Sequence, residues 1–440
     1  MPGHRARVVP SVIASTPTGS DRHPGRVIQV NPTHEMEIVD QMTRSSPLVA
    51  VGLSGAGWHP AAWREPSARP KDLLTAGYWR DVIGTAAAAA PVLVTIDDGF
   101  GTHPGTVADP DDAHAHTDRV AGRLDSVLIA ARVAPQVGGI GILPTVVATH
   151  TEPFHAAKAI ATLDFVSRGR AGALVAVDAS ADGVRLVGRR SPDDLTTESL
   201  YAEAGEYAEV LRRLWDRWED DAEIRDVDTG RFVDRDKLHH IDFHGRFFSV
   251  RGPSITPRPP QGRPVIAGSV DLEGPGAGPD LEHDATDFLA RSADLAFLSA
   301  SDATSITAAS TALRIAEQAP LVFADVVVHL DRTATQAHDR RQRLDELAGV
   351  DLGFGTQVFA GTPTELGELI GELTASGTGI DGVRLLPAAI PDDLGHLAEA
   401  LSALTVVAPR GDLRTRLGLP TAVNRYVAHH DSVPAEAVPS

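Results

Sequence analysis

The chain has 440 residues, no cysteine and a formal charge of −19, because 59 Asp and Glu outweigh 40 Lys and Arg. This composition excludes disulfides, thiolate metal sites and cysteine nucleophiles, and it argues against a nucleic-acid partner, which needs a basic surface. No apolar run approaches the about 18 residues that cross a membrane, so we expect no membrane segment and a cytoplasmic protein.

The two ends of the chain are expected to lie outside the folded part. Residues 1–46 contain no apolar stretch of the kind found in signal peptides and are rich in Pro, Ser, Thr and Arg. This composition predicts a disordered leader. Residues 428–440 are predicted to form a flexible tail, which leaves residues 47–427 for the fold.

Short apolar runs alternate with helical stretches through this central part. Eight runs predict buried strands, at residues 48–53, 92–96, 140–149, 173–177, 265–267, 295–298, 321–328 and 382–386. Helical spacing predicts helices between them, at residues 70–90, 125–133, 155–166, 284–293, 304–317, 335–347, 363–374 and 392–404. Eight such strands favour an α/β fold with a closed (β/α)8 TIM barrel. A doubly wound open sheet is the alternative, although no G-x-G-x-x-G follows the first strand.

A long stretch, residues 183–263, separates the fourth and fifth predicted strands. It contains one predicted helix, at residues 198–218, and is otherwise polar and irregular. A long insertion on one side of a barrel is commonly a lid or an active-site wall. A surface insertion without function is the alternative.

The most distinctive segment of the chain leads into the fifth predicted strand. A Pro/Arg/Gly stretch without helical or strand period runs into Val265-Ile266-Ala267 and then Gly268-Ser269. This pattern predicts a rigid, irregular approach to a buried strand whose C-terminal end opens at Ser269. Ligand sites of parallel α/β folds lie at such strand ends.

Several phrases of the sequence resemble one protein family. They are G-W-H-P-A-A-W-R at 57–64, L-D-F-V-S-R-G-R-A-G at 163–172, L-W-D-R-W-E-D-D-A at 214–222, the Pro/Arg segment at 247–269, and L-R-T-R-L-G-L-P with N-R-Y at 413–426. Through them, and in the family's order over about residues 47–427, the chain resembles the nitrilotriacetate monooxygenase component A branch of the bacterial luciferase-like flavin-dependent monooxygenases.

The resemblance implies a (β/α)8 barrel that binds reduced FMN at the C-terminal face of its strands. Family members are the oxygenase half of two-component systems, in which a separate flavin reductase supplies FMNH2 and O2 oxygenates a small organic substrate. They are commonly homo-oligomers. The protein then has to hold the flavin ring, exclude water and place the substrate beside it.

The resemblance also assigns cofactor contacts to residues at strand ends. They are Asp98, Thr149, Thr145, Tyr201, Ser269 and Val270. Taken alone, Asp98 also fits an Asx turn and Ser269 a strand-ending turn. A serine and free amides at a helix N-terminus suit a phosphate, although a Gly/Pro spacer follows Asp271.

Other family positions are not kept. Leu174 stands where the family has a flavin-binding amide and Ala173 where it has an aromatic residue, while Thr197 and Leu200 replace a histidine and an arginine. Two alternatives therefore stay open beside the monooxygenase: a degenerate barrel that binds flavin weakly or not at all, and a deazaflavin-dependent oxidoreductase.

His59 is the candidate catalytic histidine, because it follows the first strand where the family places substrate. A polar packing role is its alternative. The loop that holds His103, His114 and His116 is acidic, but its spacing fits no usual zinc pattern, so no metal site is predicted.

Overall fold

In the computed structural model of the chain, eight parallel strands close into a barrel. In chain order the strands are Leu48–Leu53, Leu93–Ile96, Gly141–Val147, Gly172–Ala176, Val265–Asp271, Leu295–Ser299, Leu321–Leu330 and Gly382–Pro387. Each pairs with the next, and the ring closes where the first strand pairs with the eighth, Leu48 opposite Gly382. The predicted (β/α)8 barrel is confirmed, and the open-sheet alternative is wrong, because an open sheet would leave two unpaired edges.

The structure describes residues 47–101, 118–191, 195–273, 277–349, 355–402, 404 and 411–427. The predicted leader, the loop with His103, His114 and His116, and the predicted tail lie outside these ranges. None of the helices in the described ranges combines the length and apolarity that a membrane span requires. Within the same ranges, no three His, Asp or Glu side chains form a group that could hold a metal ion.

Helices follow the strands. Their bounds are Ala76–Ala88, Ser126–Val133, Pro153–Ser167, Ala181–Val187, Thr197–Trp215, Pro279–Ser292, Ala303–Leu313, Ala334–Ala348, Pro363–Leu373, Ile390–Ser402 and Leu413–Arg416. The strands are aliphatic on both faces because helices cover the outside and side chains fill the inside. The helix Thr197–Trp215 begins at a capping box, in which Thr196 and Ser199 exchange side-chain and backbone hydrogen bonds.

Two regions carry more structure than the sequence predicts. Between the fourth and fifth strands, two small antiparallel pairs follow the helix: Glu223–Asp226 with Arg231–Val233, and Phe243–His244 with Ser249–Val250. A ninth parallel strand, Gln357–Gly361, pairs with the upper half of the seventh strand. These strands are too short for a period of two to stand out in the sequence.

The lower part of the barrel interior is apolar and is closed from below. Leu93, Leu143, Phe297 and Phe323 form one buried cluster with Leu413 and Leu417 of the last described helical turn. A Cβ at Gly141, the first residue of the third strand, would contact Leu413 Cδ1. The C-terminal segment therefore seals the N-terminal end of the barrel and leaves the C-terminal end for a site.

A buried ion-pair network lies at the sealed end. Asp216, fully buried, accepts hydrogen bonds from Arg263 Nε at 2.7 Å and Arg425 Nε at 3.2 Å, and its Oδ1 lies 3.5 Å from Arg258 Nη2. Asn424 donates to the Asp216 carbonyl at 2.9 Å. Residues from three separate motifs, at 214–222, 247–269 and 413–426, thus form one network around the Asp216 carboxylate.

Gln261 extends this network to the fourth strand. Its side-chain amide donates to Asp164 and to the Ala171 carbonyl, and its oxygen accepts the Arg414 N–H at 3.1 Å. Ala171 directly precedes the fourth strand and Arg263 lies two residues before the fifth, so these contacts lie at the N-terminal ends of the strands. The Pro/Arg segment therefore stabilises the end of the barrel opposite to the predicted site.

Candidate active site

Polar side chains face the barrel interior above the apolar cluster. Strand register places Thr95 beside Gly52, Ser269 beside Phe297, and Arg384 beside Asp325. Paired residues of parallel strands share a face, and Thr95 is two positions beyond Leu93 of the interior cluster. The C-terminal half of the barrel interior therefore has a polar floor, at the end where (β/α)8 proteins carry their active sites.

Asp325 and Arg384 form the charged part of this floor. Arg384 Nε donates to Asp325 Oδ1 at 2.7 Å, and its Nη2 donates to Oδ2. Ser299 Oγ donates to the same carboxylate at 2.7 Å. The guanidinium lies 4.2 Å from the centroid of the Phe297 ring, so the pair rests directly on the apolar cluster.

A second carboxylate, Asp97, lies on the rim above the floor. Its Oδ2 accepts from Ser54 Oγ at 3.1 Å and lies 3.3 Å from Arg123 Nη1. Burial raises the pKa of Asp97, and Arg123, Ser54 and the more distant Arg384 act in the opposite direction. Asp97 is two positions beyond Thr95 along the second strand, so alternation places it on the same interior side as the floor.

An apolar wall lies on one side of this space. Trp58, Val327, Leu386 and Ala388 pack together, and Trp58 Nε1 donates to the Gly52 carbonyl at 2.8 Å. A methyl group at Gly52 would overlap Leu386 and lie 3.4 Å from Thr95 Oγ1. Thr95 Oγ1 is buried and has no hydrogen-bond partner in the described part of the chain.

Asp98 lies beside the rim but has backbone partners. Its Oδ2 accepts the Ser126 N–H at 2.8 Å and its Oδ1 accepts the Gly99 N–H at 2.8 Å. Burial raises the pKa of Asp98, and these hydrogen bonds oppose that rise. The geometry matches the turn-closing alternative, and a flavin contact at Asp98 stays a prediction.

Thr145 and Thr149 are both buried at the end of the third strand. Thr145 Oγ1 donates to the Ile96 carbonyl at 2.9 Å, and Thr149 Oγ1 accepts the Asp178 N–H at 3.0 Å. Within the described ranges the Thr149 hydroxyl accepts this one hydrogen bond and donates none, so its hydrogen is available to donate. Asp178 in turn lies 3.3 Å from His150 Nε2; the sequence analysis did not single out this pair.

Ser269 and Val270 lie within a strand that is longer than predicted. The fifth strand continues to Asp271, which pairs with Ser299, and the next helix begins only at Pro279. The Val270 side chain is buried in the outer hydrophobic core, whereas Ser269 faces the interior. Ser269 therefore lies on the interior side of the strand, away from a helix N-terminus, and its cofactor contact stays a prediction.

Tyr201 lies outside the barrel interior, between two helices. Its ring packs at 6.0 Å from that of Phe288, and burial raises its pKa to about 12. The cleft around it is rich in carboxylates, with Glu198, Glu206, Asp284 and Asp287 against His283 and Arg291. This excess of negative charge disfavours a phosphate dianion. The cofactor contact of Tyr201 stays a prediction.

His59 is 1% exposed, and both of its ring nitrogens are engaged. Nδ1 accepts the Ala61 N–H at 3.1 Å, so the neutral ring carries its proton on Nε2 and donates to Asp345 Oδ1 at 3.2 Å. Burial lowers the pKa of His59, against the effect of Asp345. These contacts match the polar packing alternative, and a catalytic role for His59 stays a prediction.

His329 lies edge-on to His59, with ring centroids 6.1 Å apart. It is 1% exposed, and neither ring nitrogen has a hydrogen-bond partner within the described ranges. Burial lowers its pKa to about 3. The sequence analysis missed His329, Asp325 and Arg384, although a charged or imidazole side chain inside an aliphatic strand is the signal that would have found them.

The family model of the luciferase-like monooxygenases matches residues 112–378. The chain is 33% identical to N-acetyl-S-(2-succino)cysteine monooxygenase of Bacillus subtilis over 51% of its own length and 49% of that protein, so it spans about half of this relative. It is 29% identical to nitrilotriacetate monooxygenase component A of Aminobacter aminovorans, over 77% of the chain and 72% of that protein.

The fold is similar to that of a riboflavin lyase solved with modified FMN and riboflavin. The TM-score is 0.72 at 22% identity, and the similarity covers 86% of the chain and 97% of the lyase. At this identity the likeness concerns the fold alone. It agrees with the closed barrel described above.

Proposed function

The chain belongs to the luciferase-like monooxygenase family, and we propose that it is a flavin-dependent monooxygenase. In this proposal a separate reductase supplies reduced FMN, and O2 oxygenates a small organic substrate. The observation that carries the proposal is the polar floor with Asp325 and Arg384 at the C-terminal end of the barrel interior. The two relatives described above are both named as monooxygenases, which supports the reaction type. One of them is named as component A of its enzyme, which supports a separate reductase.

The described residues offer contacts for a flavin ring. Thr95 Oγ1 is a buried hydroxyl without a partner in the described ranges, Ser269 faces the interior, and Thr149 keeps a hydroxyl hydrogen to donate. An isoalloxazine ring presents carbonyl oxygens and ring nitrogens along one edge and apolar carbons along the other. We propose that these three side chains and Arg384 bind the polar edge, with Thr145 supporting the strand end from below.

We propose that the apolar wall of Trp58, Val327 and Leu386 excludes water from the flavin. Bound flavin supplies the reaction with O2, and the chain has to keep water away from it. A wall of large apolar side chains excludes water and leaves few competing hydrogen-bond partners. The substrate is expected to lie on the solvent side of this wall, beside His59 and the rim carboxylate Asp97.

The phosphate of FMN would meet carboxylates in the cleft around Tyr201. Tyr201 stays our candidate contact, although four carboxylates line its cleft. Replacement of Tyr201 by Phe, or of Ser269 by Ala, is expected to weaken binding by about 1 kcal/mol for each lost hydrogen bond. Asp98 and Val270 are proposed only as supports of the strand ends, because their polar groups have protein partners.

A degenerate barrel without flavin is the main competing hypothesis. Leu174 pairs with Thr145 and Ala267 on the interior face, so no amide is available there. However, a barrel without a ligand would have no need for a buried hydroxyl without a partner or a buried ion pair, since both destabilise a core relative to apolar side chains. Their presence favours a bound ligand with polar groups.

Incorporation of labelled oxygen tests the reaction directly. The chain is incubated with a flavin reductase, NADH, FMN and 18O2, with N-acetyl-S-(2-succino)cysteine or nitrilotriacetate as trial substrates. The proposal predicts one 18O atom in the product of an accepted substrate, with the other atom in water. Oxidised product without 18O would contradict a monooxygenase, and product formed only with a reduced deazaflavin would favour the deazaflavin alternative.

A further inference from the structure

Arg384 is fixed in the floor of the barrel by two of its three nitrogens. Nε and Nη2 bind the carboxylate of Asp325, which is fully buried and also accepts from Ser299 Oγ. Two parallel N–H···O bonds hold a guanidinium in one plane. The orientation of Arg384 is therefore set by the protein alone and needs no ligand.

The third nitrogen, Nη1, is free to bind something else. It makes no hydrogen bond to any residue in the described ranges, and Arg384 is 6% exposed. Arg384 is level with Ala50 and Thr95 with Gly52, so Asp97, two positions beyond Thr95, lies toward the C-terminal end of the barrel from the guanidinium. Asp325 binds the edge of the guanidinium that carries Nε and Nη2, so Nη1 lies on the edge directed away from the carboxylate.

Packing alone does not account for this pair. A buried ion pair is often no more stable than apolar side chains of the same volume, and the layer directly below, with Phe297 and Phe323, is apolar. A second interior group, Thr95 Oγ1, also lacks a partner in the described ranges. Arg384 pairs with Ala50 and Thr95 with Gly52, so the two uncommitted polar groups lie at successive interior levels of the barrel. Their position indicates a ligand with polar atoms on the side that enters the barrel.

We propose that Arg384 Nη1 binds the anionic pyrimidine edge of the reduced cofactor and selects the reduced over the oxidised form. The inference rests on the proposed function, because it requires a flavin in the barrel. Reduced flavin loses its N1 proton near neutral pH and becomes an anion, whereas oxidised flavin is uncharged there. A fixed cationic donor stabilises the anion more than the neutral ring.

This selectivity has a consequence for a two-component enzyme. The oxygenase must take reduced flavin from solution and release oxidised flavin after each turnover. Preference for the anion favours capture of reduced flavin from solution and release of oxidised flavin. Asp325 and Ser299 act as positioning residues, since they orient the guanidinium and have no free group to offer the ligand.

Anaerobic fluorescence titrations with reduced and with oxidised FMN test the inference. The wild-type chain is expected to bind reduced FMN about tenfold more tightly than oxidised FMN, as one charge-assisted hydrogen bond provides. R384Q is expected to lose this preference. The control R314Q removes a guanidinium that pairs with Asp381 just before the same strand, at the sealed end of the barrel, and should keep the preference.

Two further measurements separate a folding defect from a binding defect. The double variant D325N/R384Q removes both charges, so no unpaired carboxylate is left buried, and it too should bind both flavin forms equally. In the wild-type chain, a pH titration of the absorbance of bound reduced FMN should show that the N1 pKa is lower than in free FMNH2.

The outcomes distinguish this inference from the proposed function. Saturable binding of reduced FMN with an unchanged preference in the double variant, or an N1 pKa equal to that of free flavin, would overturn the role of Arg384 and leave the monooxygenase proposal intact. Failure of the wild-type chain to bind reduced FMN at all would overturn both.

Discussion

Asp98 accepts the backbone N–H of Ser126 at 2.8 Å and so ties the end of the second strand to the first turn of the following helix. D98A removes this contact and the one to Gly99. We expect it to lower the free energy of unfolding by about 1–2 kcal/mol, as loss of a helix cap does. D98N keeps an oxygen acceptor and should lose less. Urea unfolding of the two variants measures both values.

The same variants test the flavin contact that the family resemblance implies for Asp98. If the carboxylate has only its backbone partners, folded D98N should bind reduced FMN as the wild-type chain does. A weaker affinity in D98N together with an unchanged free energy of unfolding would show that Asp98 is a cofactor residue.

Asp216 is the centre of the network at the sealed end of the barrel. D216N would leave the guanidinium groups of Arg263 and Arg425 without their carboxylate, and we expect a loss of about 3–5 kcal/mol in the free energy of unfolding. Affinity for reduced FMN in the folded fraction should not change, because the site lies at the opposite end. D221N, which breaks an exposed pair with Lys237, is the matched control and should leave stability unaltered.

Because His329 is buried in its neutral form, we expect the free energy of unfolding to decrease as the pH falls. Burial lowers its pKa to about 3, whereas an unfolded histidine has a pKa near about 6.5. The unfolded chain therefore binds the proton first as the pH falls. Stability from the neutral ring is fully present above about pH 6.5 and is lost progressively toward pH 3.

H329L should remove this dependence. The difference in free energy of unfolding between the wild-type chain and H329L is expected to fall by up to about 1.4 kcal/mol for each pH unit below 6.5. H338Q changes an exposed histidine on a neighbouring helix and serves as the control, with the wild-type slope. Parallel curves for H329L and the wild-type chain between pH 6.5 and 5 would contradict a neutral, buried His329.

Comparison of FMN with riboflavin isolates the phosphate contribution of the Tyr201 cleft. If the phosphate lies there, Y201F should narrow the difference in affinity between the two ligands by about 1 kcal/mol or more. D284N, which removes one of the carboxylates in the cleft, should widen that difference because it removes repulsion. Riboflavin affinity is the internal control, and equal ratios in all three proteins would place the phosphate elsewhere.

The barrel could be predicted from the sequence because its strands are buried on both faces. The seventh strand is an example, since nine of its ten residues from Leu321 to Leu330 are buried, and such a run stands out as aliphatic whatever its partners. The short strand Gln357–Gly361 could not be predicted, because four of its five residues are only half-buried.

The site was less predictable because its contacts are distant in sequence. Asp325 and Arg384 are 59 positions apart, and strand register alone brings them together. The interior position of Ser269 could be inferred from alternation along the strand, but the continuation of that strand to Asp271 could not. Asp216 and Arg425, 209 positions apart, belong to phrases that resemble the family, and only the fold shows that these phrases meet at the sealed end.

Anaerobic titration of the wild-type chain with reduced FMN tests the central claim most directly. The proposed function predicts saturable quenching of tryptophan fluorescence. The dissociation constant is expected to be lower for reduced than for oxidised FMN. Absence of saturable binding up to the high micromolar range would contradict the account and favour a barrel that has kept the fold without the cofactor.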